Sequence, residues 1–579
     1  MQPAFVQIIP LRRVPRQFGV LDYQLAADQP HLQPGDILQV PFGTQKMEGV
    51  VWALLTESKL QKVRTIPAQQ PQKYFTPAQI EVLTQLHRAS LAPLAAIARG
   101  MEPQTYPRVK QKKQTSKQVE PTIVLTRDLQ ARTKMLQEIV RRASAEKQGL
   151  TCVVVPTYTA LAEWEKVAGS AAVILTAKQS HKEQVAALTK IAHTQLLLCL
   201  GTQLLLPFPG LHRLVLDQAD DAAYGLYEQQ PRFDVRCLAQ IVVQVYGASL
   251  TVLARWHSPR LQTWIPARRT PVTLGTLAPV TIINRQLETL EDRRLPLSPT
   301  LLTNLHSQKV LWLVDTPDDA RALWCAACGT PVRCPTCSNT LQVRSEGREL
   351  FCSKDRTRMA APALCAACGS AHLTMQKKGT AAVRQQLRSV IPAEEFTEIV
   401  SKKPELPSAT ARHVLSTTII QRFPELQFDA VVIPFLDYTI TRGDDFAASE
   451  RAMDILALAR MHVAPGGKIF VQTFQPDASF FTHVQNPEAW AAHLTEERRE
   501  LGYPPAGILV TLEQQSPTKA TASLPDFPSF VRASSLSAHL TSLRVPRANY
   551  AELVPLLQTL SGQGWNIQVN PPRLPRLQA

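Results

Sequence analysis

Nowhere in these 579 residues does a glycine-lysine pair precede serine or threonine; the one such pair, Gly467-Lys468, is followed by Ile469. That absence excludes the usual glycine-rich loop, whose amides cradle phosphates while its Lys and Ser/Thr serve the β/γ-phosphates and Mg²⁺. Long apolar runs are missing as well: the longest patch, "QLLLCLGTQLLLPFPGL", is broken at Gly201, Thr202 and Gln203 and is too short to span a bilayer. The opening "MQPAFVQIIPLRRVPRQF" lacks the charged-then-apolar order of a secretory signal. A soluble, cytoplasmic protein with no membrane partner is the expectation. Cysteine is sparse outside one region, since of ten only Cys152, Cys199 and Cys237 lie elsewhere, singly and in apolar surroundings, as core residues do. Acidic residues are in deficit: 47 Asp+Glu face 63 Lys+Arg, a net +16 that favours a polyanionic partner. The excess begins early, with 15 basic and 8 acidic residues in the first 120.

The length exceeds what one hydrophobic core supports, so several domains are expected. Hydrophobic content of 45% with 19% charged residues is ordinary for folded chains. Residues 1–102 hold short alternating runs, "FVQIIPL", "DILQVPFG" and "GVVWALL", punctuated by Pro34-Gly35 and Phe42-Gly43, which reads as a β-rich domain. Residues 103–120 form a basic linker with five Lys/Arg and one acid, Glu120. From 121 to 290, apolar runs such as "TIVLT", "TCVVVP", "QLLLCL" and "HRLVLD" alternate with helical stretches, the pattern of βαβ units on a parallel sheet. A second such series occupies 291–324 and 370–500, interrupted by a cysteine module at 325–369. Residues 501–579 read as a small α+β unit. The fold class is therefore multidomain α/β.

The module reads Cys325-x2-Cys328, Cys334-x2-Cys337, Cys352-x2-Asp355 and Cys365-x2-Cys368. Each pair is a chelating knuckle, because two thiolates three residues apart can turn toward one Zn²⁺ at about 2.3 Å. Four knuckles imply two tetrahedral zinc sites per chain, and a disulfide framework is the competing reading. Asp355 is the one non-sulfur member; it is either an oxygen ligand or a surface residue beside a three-cysteine site.

This spacing, set inside the second of two α/β lobes, resembles the PriA family of replication restart proteins (primosomal protein N-prime). "LGTQLLLPFPGLHRLVLDQADDAAY", "RGDDFAASERAMDILALA", "ERRELGYPPAG" and "LQPGDILQVPFG" are similar to family segments as well. The resemblance implies two RecA-like helicase-type lobes carrying a zinc-binding module, with a 3′-DNA-end-binding domain in front. It assigns Cys325, Cys328, Cys365 and Cys368 to a first zinc, and Cys334, Cys337, Cys352 and Asp355 to a second, where the family has cysteine at the last position. It also implies a pocket for a 3′-hydroxyl from Leu21, Asp22, Gly35 and Lys62. DNA forks, primosome and helicase-loading proteins and single-strand-binding protein are the partners it implies.

The family's nucleotide machinery is what the sequence departs from. In place of a phosphate loop stands "TIVLTRDLQAR", without glycine and with Asp128 opposing an anion. The acidic helicase motif becomes Asp217, Gln218, Ala219 and Asp220, and His462 and Pro465 fall at the arginine positions, with Arg460 nearby. Residues 101–120 leave no room for the family's winged-helix module. ATP is thus not expected as a cofactor, no catalytic residue is assigned, and a DNA-binding scaffold that has lost its motor is the leading reading. An ATP-dependent 3′–5′ helicase with divergent motifs, and a zinc-ribbon RNA or transcription factor, are the alternatives.

Overall fold

Leu150–Val155 is buried at every position, and Leu196–Leu200 at all but its last. Runs of Val, Leu and Cys buried on both faces are what a parallel sheet between helical layers demands. The computed structural model describes all residues except 1–3, 15–18, 59, 61, 106–119, 147–148, 192, 228–229, 267, 316–320, 336–340, 345–348, 353–356, 378, 400–405, 409, 441–445, 515–523, 538–539 and 572–579. Most of the expected linker falls outside that description.

The first lobe is a parallel sheet of seven strands: Thr122–Thr126, Leu150–Val155, Ala172–Leu175, Leu196–Leu200, Leu211–Leu216, Ser249–Ala254 and Val272–Leu274. Counted in chain order, they lie across the sheet as third, fourth, second, fifth, sixth, first, seventh. The second lobe is a parallel sheet of six: Val280–Asn284, Val310–Leu313, Phe396–Ile399, His413–Ser416, Phe428–Ile433 and Val463–Thr473. Its order is third, fourth, second, fifth, sixth, first. The two windings are the same, so the body is one RecA-like α/β plan used twice. Val280–Asn284 pairs with Val463–Thr473, so it belongs to the second sheet. The boundary expected at 290 is corrected accordingly: the first lobe's sheet ends at Leu274.

Side-chain caps fix where the helices begin. Asp128, Thr157, Asp234 and Ser258 each accept a free amide in the first turn of the helix that follows, satisfying donors that have no intrahelical partner. The cysteine module interrupts the second lobe between its second and third strands. It is a five-stranded sheet ordered Arg358–Ala360, Glu349–Phe351, Gln342–Arg344, Arg321–Cys325, Leu373–Lys377. At the carboxyl end, Gly507–Gln514, Arg532–Ser537, Leu540–Pro546 and Trp565–Val569 make an antiparallel sheet, and Leu553, Leu557 and Leu560 of helix Tyr550–Gly562 share its core.

At the amino end, five strands are ordered Ile37–Phe42, Gln45–Leu55, Phe5–Pro10, Leu21–Leu25, Arg64–Ile66. Helix Pro77–Ser90 follows, opened by a capping box between Thr76 and Gln79. Its Val82, Leu83 and Leu86 share one apolar cluster with Ile9 and Val50 of this sheet and with Leu238 and Val242 of the first lobe's helix Val235–Tyr246. The β-rich domain is thus docked on the first lobe through a common core.

Candidate functional site

In an open parallel sheet, ligands gather at the carboxyl ends of the strands. Arg127 and Asp128 follow the first lobe's opening strand there, Asp217 and Gln218 follow Leu211–Leu216, and Arg255 and Trp256 follow Ser249–Ala254. The Asp128 carboxylate turns onto its own helix: Oδ1 accepts the Ala131 amide at 2.7 Å and Oδ2 the Thr276 amide at 2.8 Å. A helix N-terminus is otherwise a ready anion site, and here the chain supplies the anion itself. Gly275 makes this possible, because a Cβ there, at φ 81°, would meet the Asp128 carboxylate.

Asp217 is fully buried and already engaged. Arg132 donates from Nη1 to Oδ1 at 2.7 Å and from Nη2 to Oδ2 at 2.9 Å, and Trp164 Nε1 donates to Oδ2 at 2.8 Å. Arg132 also pairs with Glu163 at 2.6 Å. Burial pulls the guanidinium's pKa down, but Asp217 and Glu163 outweigh it and hold the value well above the usual range. A magnesium ion at Asp217 would have to displace a bidentate cation from a dry site. Gln218 holds φ 45°, uncommon for a residue with a side chain, in a turn whose Asp221 amide donates to the Gln218 carbonyl at 2.8 Å.

The second lobe closes this edge. Arg127 pairs with Glu488 and also donates to the Arg255 carbonyl at 2.7 Å. Trp256 Nε1 donates to Asp454 at 2.9 Å, and the Arg260 amide donates to Glu450 at 2.9 Å. Glu450 also accepts from Arg498 at 2.8 Å; burial pushes its carboxyl up, but Arg260 and Arg498 together bring it down to about 2. Arg460 is buried and donates to the Val484 carbonyl at 2.7 Å, and burial with nearby Arg127 lowers its pKa to about 10. His462 is buried against the Leu426 carbonyl, 3.0 Å from Nδ1. The space left between Arg132, Glu163, Gln218, Arg255, Leu458 and His462 is about 50 Å³, against the roughly 300 to 1,000 Å³ of ligand pockets.

In the cysteine module, Cys325, Cys328, Cys365 and Cys368 converge, with all four sulfurs within 4.8 Å of one another. Cys325 and Cys368 stand 3.6 Å apart, and Cys328 and Cys365 3.7 Å. Thiolates at about 2.3 Å from a tetrahedral metal are separated by about 3.8 Å, so the set fits a zinc-like ion. Both knuckles are closed alike: the Gly329 amide donates to the Cys325 carbonyl at 2.8 Å and Gly369 to Cys365 at 2.9 Å, with φ of 71° and 70° that glycine alone adopts readily. Of the inner set, Cys334 and Cys352 are buried in one apolar cluster with Leu323, Leu341 and Leu350. Cys337 and Asp355 lie outside the described residues.

In the amino-terminal sheet, Asp22 pairs with Gln7 across adjacent strands. Its Oδ2 accepts the Ser58 hydroxyl at 2.6 Å and its Oδ1 the Gln7 amide at 3.2 Å. A carboxylate offers about four acceptor sites, so it retains capacity for a further hydroxyl. Leu21 is half-buried beside it. Arg64 pairs in parallel with Tyr23, which carries exposed Lys62 to the sheet end where Leu21 and Asp22 lie. Gly35 is not brought to them. Tyr23 Oη donates to the Pro41 carbonyl at 2.7 Å and Arg64 Nη1 to the Gly43 carbonyl at 2.8 Å, so the far end of Ile37–Phe42 closes onto their strands, whereas Gly35 precedes its start. Its φ of 96° and the Phe75 carbonyl, on which a Cβ would collide, give it a role in packing.

Two parallel-sheet lobes of one winding, with a facing set of ion pairs where their strand ends meet, define a two-lobed RecA-like α/β body joined to a β-rich domain. Residues 9–103 match the family model described as the 3′DNA-binding domain (3'BD) of PriA. The chain is similar to proteins named Replication restart protein PriA. That of Synechocystis sp. is 22% identical over 56% of this chain and 43% of its own length. That of Bacillus subtilis is 24% identical over 63% and 49%. That of Rickettsia conorii is 22% identical over 84% and 83%. The chain thus spans about half the length of the first two. No helix among the described residues is long and apolar enough to cross a membrane.

Sequence reading missed Arg132, Trp164 and Ser58. Arg132 lies in "ARTKMLQEIVRR" among other basic residues, and nothing in the spacing marks which one turns inward. The surviving Asp217, stripped of its acidic neighbour, is the one signal that a buried carboxylate needs a cation.

Proposed function

We propose that this chain is a DNA-binding replication restart protein that recognises stalled or branched forks and recruits replisome-loading partners without unwinding DNA. The DNA-binding half rests on the match of residues 9–103 to the 3′DNA-binding domain. The non-enzymatic half rests on a single observation: both Asp217 oxygens are taken by Arg132, with Trp164 as a third donor. With Asp128 capping the neighbouring helix, this argues against a bound Mg²⁺-nucleotide. ATP turnover is expected to stay at background with and without forked DNA. Robust DNA-stimulated hydrolysis would return the reading to a divergent 3′–5′ helicase.

In this reading Asp22, with Leu21 and Lys62 near it, holds the 3′-hydroxyl of a nascent strand; a carboxylate accepts from a hydroxyl and repels a phosphate. Forks ending in 3′-hydroxyl are expected to bind about tenfold or more tightly than 3′-phosphate forks, the range for a hydrogen bond to a charged group. Asp22→Ala should abolish the difference, in a fluorescence anisotropy titration at fixed salt. Equal binding of both ends by the wild-type chain would favour the zinc-ribbon alternative. The two zinc ions, the second held by Cys334, Cys337, Cys352 and Asp355, would build a platform for helicase-loading and single-strand-binding proteins in the cytoplasm.

A further inference from the structure

Arg293 stands in a short 3-10 turn, Asp292–Arg294, between strand Val280–Asn284 and helix Pro299–Leu305, and all three nitrogens of its guanidinium donate to main-chain carbonyls. Nε donates to Glu288 O at 2.9 Å and Nη2 to Gln286 O, which fixes the group on its own segment. Nη1 crosses to the cysteine module and donates to Ala327 O at 2.9 Å and Ala326 O at 3.3 Å. Ala326 and Ala327 are the two residues between Cys325 and Cys328.

The far sides of the same peptide groups face sulfur. The Ala326 carbonyl shares its peptide with the Ala327 amide, and the Ala327 carbonyl shares its peptide with the Cys328 amide. Those two amides lie on the side of the knuckle that faces the Cys325 sulfur. The order is therefore guanidinium, carbonyl, amide, sulfur, through two adjacent peptides. Hydrogen bonds in such a chain polarise one another, so a cation at one end strengthens the donors at the other. Gly329, at the close of the same knuckle, packs so tightly on Phe474 at the end of the second lobe's last strand that a Cβ would not fit. The knuckle is thus held from two sides by the lobe body.

We propose that Arg293 is a positioning residue for the outer metal site: through the Ala326 and Ala327 peptides it aims two amides at the Cys325 sulfur and fixes that knuckle to the second lobe. The inference rests on the four-cysteine group being a zinc site. Groups that orient first-shell ligands this way are worth about 10- to 100-fold in metal affinity. Arg293 also ties ion occupancy to the order of the segment from 285 to 296, which joins the second lobe's first strand to helix Pro299–Leu305.

The test is competition of the full chain's bound zinc against a chromophoric chelator, with the thiolate-to-cobalt charge-transfer band of the Co²⁺-substituted chain as a second readout. Arg293→Ala is expected to weaken the ion held by Cys325, Cys328, Cys365 and Cys368 about 10- to 100-fold and to shift the charge-transfer band. Arg293→Lys, which keeps the charge but can bridge fewer carbonyls, should recover part of the affinity. Arg294→Ala, an exposed neighbour of the same charge, should match the wild type. Far-UV circular dichroism of the Lys variant guards against simple misfolding. Affinity and band position unchanged in Arg293→Ala overturn the assignment. A wild-type chain that holds no metal removes the site itself, and Arg293's role with it; ATPase or fork-binding results bear on neither.

Discussion

Replacing Arg132 by alanine is expected to destabilise the first lobe by about 3 to 5 kcal/mol, the usual cost of leaving one member of a buried ion pair behind. Asp217 has no exposure to water, so it cannot regain hydration when the guanidinium goes. It would keep only the Trp164 N–H, and Glu163 would lose its partner as well. Urea unfolding followed by tryptophan fluorescence reads the loss directly, since Trp164 sits on the carboxylate. Arg141→Ala provides the contrast: Arg141 pairs with Glu138 on the solvent face of the same helix, and such pairs often contribute nothing measurable. Arg132→Leu combined with Asp217→Asn should recover much of the loss, because the cost lies in the orphaned charge. An Arg132→Ala midpoint no lower than that of Arg141→Ala would mean that Asp217 is not locked, and would reopen it to a metal ion.

Acid should unlock the second lobe through His462. Burial pushes this imidazole down to about 4 from the ordinary 6.5, outweighing the Leu426 carbonyl and Glu425, which favour the proton. The folded state therefore prefers the neutral ring. The contribution is complete above the unfolded value of about 6.5 and is lost progressively as pH falls through 6.5 toward 4, about 3 kcal/mol in all. His87, His257 and His413 are lowered by burial too, so the wild-type curve sums several rings. The difference between wild type and His462→Asn isolates one. It should be constant above pH 7 and shrink by about 3 kcal/mol toward pH 4. A difference that stays flat across that window would mean that His462 reaches solvent or titrates normally. Glu450, held down to about 2, acts later: its contribution is present above about 4.5 and fades as pH falls further.

The strands were legible because a doubly covered parallel sheet writes itself as unbroken runs, of which "LTCVVV" is the clearest. Their order was not, since sheet order depends on which crossovers pack where, and no single run encodes it. Val280–Asn284 shows the limit: its "VTIIN" looks like any other strand, and only pairing with Val463–Thr473 assigns it to the second lobe. The outer knuckles were legible from spacing alone, as two residues between cysteines suffice to aim both sulfurs at one point. Gly35 was misplaced because a glycine needed for the chain's own turn is indistinguishable in sequence from one that admits a ligand. Arg132 and Arg293 were invisible for a related reason. Each acts on a partner far along the chain, 85 residues for Arg132 and 34 for Arg293, where helix or strand periodicity carries no information.

Helix Pro77–Ser90 has a final consequence for how the molecule comes apart. Its inner face belongs equally to the amino-terminal sheet and to helix Val235–Tyr246. The two regions should therefore melt in a single cooperative step and gain hydrogen-exchange protection together. Cutting the chain after residue 102 would not liberate an autonomous lobe. It would strip the cover from an apolar helix face and leave a sticky fragment, so the amino-terminal domain doubles as a shield for the body it packs on.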